Sequence, residues 1–107
     1  MSFSIIIPAF NEENYLARTL DHINQAASYL RGKEDRSVEV IVVDNNSDDQ
    51  TANLARASGA TVLSESDHNI SKVRNAGARA ANGDILVFID ADTLIPENLL
   101  WRMPGHI

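Results

Sequence analysis

The feature that most constrains the fold is an alternation of short apolar runs with longer segments of helical periodicity. The runs are rich in β-branched residues, which favour strands. They occupy residues 3–7, 38–44, 61–64 and 85–89. Pro8 is predicted to end the first strand because proline cannot donate a hydrogen bond to a sheet ladder. The last run is apolar throughout and predicts a buried strand.

The longest segment between these runs, residues 11–30, has the pattern of an amphipathic helix. Asn11 is predicted to cap it, since asparagine side chains accept hydrogen bonds from the first amides of helices. A polar connection is expected from Arg31 to Ser37. The apolar residues recur at steps of three and four and are predicted to share a buried face: Leu16, Leu20, Ile23, Ala27 and Leu30.

Three shorter helices are predicted further along the chain. The first has Thr51, Leu54, Ala55 and Ser58 on one side and ends at Gly59, because glycine favours the position just after a helix. The second lies within residues 69–83 and is ended by Gly83. The third begins at Pro96 and continues through Trp101. The predicted apolar face of the second comprises Ile70, Val73, Gly77 and Ala80.

Strands separated by helices predict an α/β fold, with a Rossmann-like, mainly parallel sheet and helices on both faces. The chain has 107 residues, which is enough for one domain of ordinary size. A single domain spanning residues 1–107 is therefore expected. Because a sheet with an uncovered apolar edge tends to pair, a homo-oligomer is also expected.

Composition excludes several classes of function. The formal net charge of −6 argues against a nucleic-acid-binding protein, which needs a basic surface. There is no cysteine, so disulfides and thiolate metal sites are excluded. The apolar runs are much shorter than the roughly 20 residues that span a bilayer. Residues 3–7 lack a basic leader and meet Pro8, so no signal peptide is predicted and a cytoplasmic location is expected.

Three aspartates follow two of the predicted strands, at the edge where open parallel sheets bind ligands. Asp44 follows the second strand, and Asp90 and Asp92 follow the fourth. Unneutralised carboxylates this close would raise one another's pKa values. A divalent cation, Mg²⁺ or Mn²⁺, held together with ligand phosphates would remove the repulsion. An alternative for Asp44 is a turn role, since Asp side chains satisfy turn backbones.

Two basic residues, Lys72 and Arg74, are predicted to lie in the first turn of the helix within residues 69–83. Cations are unfavourable at this electropositive end of a helix. A phosphate there would be held by backbone donors and by the guanidinium fork of Arg74. Metal on one side and arginine on the other predict a diphosphate site.

Four segments in order, IIIPAFNEE, VIVVDNNSDDQT, VRNAG and GDILVFIDAD, resemble the family 2 glycosyltransferases of the GT-A fold. The resemblance covers nearly the whole chain and includes the Asp-x-Asp (DXD) motif. It implies transfer of a sugar from a nucleoside diphosphate sugar, with Mg²⁺ or Mn²⁺ bridging the diphosphate. It also implies that Asp49, with Thr51, opens the helix that follows.

The resemblance implies a donor site along the ligand-binding edge. Asp92 would ligate the metal with Asp90, which would also contact the ribose or sugar. Asp44 would hold the base or ribose, Arg74 would face the diphosphate, and the residues after the first strand would line the nucleoside pocket. The implied donor-binding residues are Pro8, Ala9, Phe10, Glu12, Asp44, Arg74, Asp90 and Ala91.

The chain also departs from the family pattern. A complete member continues into an acceptor-binding half, which supplies a carboxylate base in inverting enzymes. The 107 residues are expected not to include that half, Glu97 is a poor candidate for the base, and no catalytic residue is identified. The chain is therefore expected to be a donor-binding portion, with a sugar, lipid or protein acceptor. The three histidines, His22, His68 and His106, are scattered and are predicted to be ordinary surface residues.

Other functions remain open. The main alternative is a module that binds a nucleotide or nucleotide sugar without transferring it. A phospho-acceptor signalling domain is weaker, since no lysine follows Lys72. A nucleotidyltransferase would need a basic glycine-rich loop after the first strand, and the sequence there has none.

Overall fold

The computed structural model describes residues 2–33 and 37–102. Its four strands form one parallel sheet in the order β3-β2-β1-β4. The predicted α/β class with a parallel, Rossmann-like sheet is confirmed. The elements are β1 (Phe3–Ala9), α1 (Leu16–Lys33), β2 (Val38–Asp44), α2 (Thr51–Ala57), β3 (Thr61–Ser64), α3 (Ile70–Ala80) and β4 (Ile85–Phe88).

The larger core lies between α1 and one face of the sheet. Phe3, Ile5 and Ile7 of β1 project into it and are almost fully buried. The whole predicted apolar face of α1 is also buried, from Leu16 to Leu30. This prediction is confirmed because the burial of a helix face follows its 3.6-residue period.

The opposite face of the sheet packs against α3. Val73 and Gly77 are its buried residues, and they lie over Ile6 of β1. A Cβ atom on Gly77 would stand 2.4 Å from Cγ2 of Ile6, so glycine permits close contact between helix and sheet. Ile70 and Ala80, which were predicted to belong to the same buried face of α3, are exposed, so that part of the prediction was wrong.

The boundaries of β1 and α1 differ from the predictions. β1 continues through Pro8 to Ala9. The backbone N–H and C=O groups of Ile6 point toward β4, and the Ile6 carbonyl accepts a hydrogen bond from the Ile89 amide. Because these groups alternate in direction along a strand, the backbone nitrogen of Pro8, two residues later, points to the same side. β4 has already ended there, at Phe88, so the missing donor of proline costs no ladder bond.

Asn11 does not cap α1, which begins at Leu16. Instead it adopts the left-handed conformation, with φ 51°. At its other end α1 continues to Lys33, so the predicted polar connection begins later than Arg31, and residues 34–36 of that connection lie outside the described residues. Gly59 has φ 87° after α2, which confirms the predicted helix stop.

The segments around β4 are less regular than predicted. α3 ends at Ala80 before it reaches Gly83, and residues 97–102 form turns instead of the predicted helix. β4 is not fully buried, because Leu86 and Phe88 are 40% and 44% exposed. Both lie at the sheet edge on the face that α3 covers only in part. No helix in the described ranges is long and apolar enough to cross a bilayer.

Glu39 connects the amino-terminal ends of three strands. Its carboxylate accepts hydrogen bonds from the Ser4 hydroxyl and from the Asn82 amide, the latter at 2.5 Å. The Ser4 Oγ atom in turn accepts from the Gly83 amide at 2.7 Å. These contacts join β1 and β2 to the segment that leads into β4.

The Glu39 network predicts a pH dependence of stability. The hydrogen bond from Ser4 is the main cause that lowers the pKa of Glu39 from its usual 4.5, and bonds from Asn82 add to it. Because the pKa of Glu39 is lower in the folded than in the unfolded state, its ionised form stabilises the fold at pH values above the unfolded pKa. This stabilisation is lost as the pH falls through the folded pKa. We expect Glu39→Gln to lower the free energy of unfolding by about 1 kcal/mol at neutral pH.

The difference between wild type and Glu39→Gln should shrink below pH 4.5, measured by urea unfolding at a series of pH values. A difference that stays constant with pH would show that the charge of Glu39 contributes nothing.

Candidate functional site

The candidate site is the carboxyl edge of the sheet, where three strands end side by side. The register pairs Ala9 with Asp44 and Ile6 with Phe88. The segments that follow β1, β2 and β4 therefore begin at one edge. This is the arrangement predicted for the acidic residues and for residues 8–12.

Hydrogen bonds join the loop after β1 to the loop after β2. The Asn11 amide donates to Ser47 Oγ at 2.9 Å, and the Asn11 side chain accepts from the Asp48 amide at 3.0 Å. The Glu12 amide donates to Thr51 Oγ1 at 2.9 Å. The left-handed conformation of Asn11 is thus held by contacts of both its backbone and its side chain with the β2 loop.

Asp49 fixes the start of α2. Its Oδ1 atom accepts from the amide of Thr51 at 2.9 Å and also from the Thr51 hydroxyl. Its Oδ2 atom accepts from the Glu13 amide at 3.3 Å. Desolvation raises the pKa of Asp49, but these hydrogen bonds outweigh it and leave the pKa below its usual value. The contacts agree with the predicted role of Asp49 in opening the helix.

Asp44 ends β2 and is only 8% exposed. Its Oδ1 atom accepts from the Ser47 amide at 3.2 Å. The turn role that the sequence left open for Asp44 is therefore real, and it fixes the carboxylate at the edge beside Ala9.

A pocket of about 210 Å³ lies beside this edge. It brings together four of the implied donor-binding residues, Pro8, Ala9, Phe10 and Glu12. Asn45, Ile70 and Val73 complete its lining. Phe10 is 48% exposed, so an aromatic face is available at the mouth of the pocket.

Two residues near this pocket were missed as site residues. The Asn45 side chain donates to the carbonyls of Glu65 and Asp67 at 2.6 and 3.0 Å and so fixes the loop before α3. His68 in that loop contacts Phe10 edge to face, with ring centroids 4.9 Å apart. The prediction that His68 is an ordinary surface residue was therefore incomplete. No spacing signal in the sequence relates it to Phe10.

The segment Asp90-Ala91-Asp92-Thr93 forms a turn directly after β4, and we call it the acidic turn. The Thr93 amide donates to the Asp90 carbonyl at 3.1 Å. Ala91 is 4% exposed, whereas the two aspartates are exposed. One small buried residue thus separates two carboxylates that remain accessible to a ligand.

Negative charge accumulates between the acidic turn and the β1 loop. Burial raises the pKa of Glu12, and the charges of Asp92, Asp49 and Asp90 raise it further. Asp92, Asp49 and Asp90 therefore lie within electrostatic range of Glu12. Such a surface favours the binding of a cation.

The donor set at the acidic turn fits a hard divalent cation. Carboxylate oxygens are the ligands that Mg²⁺ and Mn²⁺ prefer. In the part of the chain that the structure describes, no three His, Cys, Asp or Glu side chains are grouped to hold a metal. A cation at Asp90 and Asp92 would therefore take its other ligands from water or from a bound phosphate, which is usual for Mg²⁺.

The two basic residues differ in their surroundings. Lys72 forms an ion pair with Asp67, with Nζ and Oδ2 2.7 Å apart. This contact raises the pKa of Lys72 and lowers that of Asp67. Arg74 is the fifth residue of α3, so its predicted place in the first turn was wrong. Its guanidinium lies 5.8 Å from the ring centroid of Phe88.

The sequence profile described as "Glycosyl transferase family 2" matches residues 4–107 of the chain. Among the curated relatives, the chain is 36% identical over 106 residues to an uncharacterized glycosyltransferase, YfnE, from Bacillus subtilis, covering 94% of this chain and 25% of that protein. The chain spans about a quarter to a third of the length of the first curated relatives it matches.

Two solved structures are similar in fold. One is the glucosyl-3-phosphoglycerate synthase of Mycobacterium tuberculosis in complex with Mn²⁺, UDP and glucosyl-3-phosphoglycerate, with a TM-score of 0.76, 31% identity, and coverage of 97% of this chain and 38% of that one. The other is a mannosyltransferase from Pyrobaculum calidifontis in complex with GDP-Man and Mn²⁺, with a TM-score of 0.76, 31% identity, and coverage of 90% and 29%.

Proposed function

The chain belongs to glycosyl transferase family 2, and on this premise we propose that it is the donor-binding portion of a glycosyltransferase. The enzyme would transfer a sugar from a nucleoside diphosphate sugar to a sugar, lipid or protein acceptor. A divalent cation, Mg²⁺ or Mn²⁺, would bind with the diphosphate at the acidic turn.

The observation that carries the proposal is the position of the acidic turn relative to the pocket beside β1. Glu12 lines that pocket, and its pKa is raised by burial first and then by the charges of Asp92, Asp49 and Asp90. A nucleoside in the pocket would therefore have its phosphates close to the two aspartates. The largely apolar pocket would bind the nucleoside, and the cation at the acidic turn would bind the phosphates.

Each residue has a distinct part in this proposal. Pro8, Ala9 and Phe10 would contact the base, and Asp44, held by the Ser47 amide, would accept a hydrogen bond from the base or ribose. Arg74 would face the diphosphate with a planar set of donors. Lys72 contributes less, because Asp67 already balances its charge.

Asp92 and Asp90 would hold the cation, and Asp90 and Ala91 would also border the ribose or sugar. When bound, the cation would act as a Lewis acid that stabilises charge on the leaving diphosphate. The two similar structures that contain Mn²⁺ with UDP or GDP-Man support this type of site. The two carboxylates of the acidic turn would position the cation and balance part of its charge.

A module that binds a nucleotide sugar without transfer is the second candidate. Such a module needs only a donor site, such as the pocket that Pro8, Ala9, Phe10 and Glu12 line. A transferase needs a base for the acceptor hydroxyl, and Glu97, which lines a shallow surface depression with Asn24, Gln25, Ser28 and Tyr29, is not placed at the acidic turn. Release of free sugar from a bound donor would distinguish turnover from binding alone.

We expect the chain to bind UDP or GDP more tightly with Mn²⁺ than without it, as measured by titration calorimetry. Asp92→Asn removes one of two carboxylates at the cation, so we expect the metal-dependent affinity to fall on the order of 100-fold, at the upper end of losses seen at metal sites. Binding without metal should change little.

Asp84→Asn is the matched control. Asp84 precedes the same strand at the opposite edge of the sheet, where it accepts from the Ser2 amide at 3.1 Å. This variant should bind like wild type. The proposed function would be wrong if wild type bound neither nucleotide with Mn²⁺, or if the two variants lost affinity equally.

A further inference from the structure

Helix α1 holds the segment after β4 through two side chains on one face of the helix. Thr19 Oγ1 donates to the carbonyl oxygen of Ala91 at 2.7 Å, in a buried contact between residues 72 positions apart. Nδ1 of His22, one helical turn later, lies 3.3 Å from the carbonyl oxygen of Ile95. These contacts fasten both ends of residues 91–95 to α1.

The hydrogen bond of Thr19 is unusual for a helix. A threonine hydroxyl in a helix commonly bonds the carbonyl four residues earlier, and Thr19 does lie 3.2 Å from the Tyr15 carbonyl. A hydroxyl has a single proton to donate, and the shorter distance is to Ala91. Thr19 is 0% exposed, so water cannot replace it at this carbonyl.

The Ala91 carbonyl determines the direction of the residue that follows. The peptide group joining Ala91 to Asp92 is planar, so an inward carbonyl directs the Asp92 amide the opposite way. Asp90 and Asp92 carry like charges within one turn, and repulsion between them would favour a more open turn. A hydrogen bond that holds the buried carbonyl between them opposes this opening.

We propose that Thr19 is a positioning residue for the acidic turn, which sets the direction of Asp92 through the Ala91 carbonyl. The proposal rests on the proposed function, because it concerns the binding of a cation and a nucleotide at that turn. Thr19 itself contacts neither. It acts on metal-dependent binding only through the hydrogen bond from its hydroxyl to the Ala91 carbonyl.

Thr19→Val tests this directly, because valine retains the shape of threonine but has no hydroxyl. We expect metal-dependent UDP affinity to fall about 3- to 10-fold, the size of one hydrogen bond. Affinity for UDP without Mn²⁺ should be unchanged. Thr19→Ser keeps the hydroxyl and should restore affinity to within about 2-fold of wild type.

Two further measurements separate positioning from folding. Thermal unfolding of each variant shows that binding is measured on folded protein. Ser58→Ala serves as a matched control, since the Ser58 hydroxyl donates to the Leu54 carbonyl at the end of α2. Exchange of the Thr93 amide with solvent, measured by NMR, reports on the turn without any ligand. We expect this exchange to be about 3- to 10-fold faster in Thr19→Val.

The outcomes for the two proposals are distinguishable. If wild type fails to bind nucleotide with Mn²⁺, the proposed function is wrong, and faster Thr93 exchange in Thr19→Val that Thr19→Ser reverses still supports the positioning of the turn. If wild type binds and Thr19→Val binds equally well, the inference is overturned. Unchanged Thr93 exchange in Thr19→Val overturns it as well, whether or not nucleotide binds.

Discussion

Replacing Gly83 with alanine is expected to lower the free energy of unfolding by about 3 kcal/mol, the upper end of the usual cost of overpacking. An added Cβ atom would lie 2.6 Å from Ser4 Oγ and 2.7 Å from the carbonyl carbon of Phe3 and the nitrogen of Ser4. Two of these atoms belong to the backbone of β1, which cannot move without breaking its pairing. Urea unfolding measures the effect.

Gly32→Ala provides the matched control for the same substitution. Gly32 is in the last turn of α1, and among the described residues no atom beyond its chain neighbours and the adjacent helix backbone lies within 4 Å of a Cβ added there. Alanine is favoured over glycine in helices by about 1 kcal/mol, so this variant should be neutral or slightly more stable than wild type. Equal losses of stability in the two variants would contradict the steric explanation for Gly83.

The second large effect is expected for Ile23→Ala. Ile23 is fully buried in the middle of α1, against the sheet. Removing its outer carbons leaves a cavity, and such substitutions cost about 2 to 5 kcal/mol. Thermal or urea unfolding of the purified variant measures the loss.

Ile70→Ala makes the identical change at a helical isoleucine that is 58% exposed. It should alter the free energy of unfolding by no more than about 0.5 kcal/mol, as for most surface substitutions. A similar loss in both variants would mean that helix propensity, and not burial, determines the effect.

The parts of the fold that the sequence predicts well depend on periodicity. The limits of β2 and β3 agree with their apolar runs, and the α1 stripe is buried as predicted. In these elements the side-chain pattern and the tertiary packing favour the same secondary structure and the same buried face. The Gly59 stop is also predicted, because a positive φ is a local property of the backbone.

The parts that fail depend on neighbours distant in sequence. Pro8 stays within β1 because β4 ends early, and no feature near Pro8 reveals this. Leu86 and Phe88 are exposed because α3 covers only part of its sheet face. Asn11 resembles a helix cap, yet its side chain bonds the Asp48 amide, 37 residues further along the chain.

Predictions for the candidate site also succeed where they depend on local pattern and fail where they depend on distant neighbours. Pro8, Ala9, Phe10 and Glu12 share one pocket as expected, since parallel strands direct their ends to the same edge. Arg74 is in the second turn of α3, because the helix begins at Ile70 after the Asn69 cap. Thr19 and His22 contact carbonyls more than 70 residues away, which no local pattern indicates, and His22 was predicted to be an ordinary surface residue.

The pairing of β1 with β4 also bears on how the chain acquires its structure. Phe3 pairs with Ile85, so this contact closes a loop of some 80 residues, whereas β1 and β2 meet across a much shorter one. Loop closure costs entropy that rises with length, and contacts of high sequence separation slow folding. During synthesis the carboxylates of the acidic turn leave the ribosome last of the site residues, so the first strand waits for some 80 further residues before its second neighbour exists.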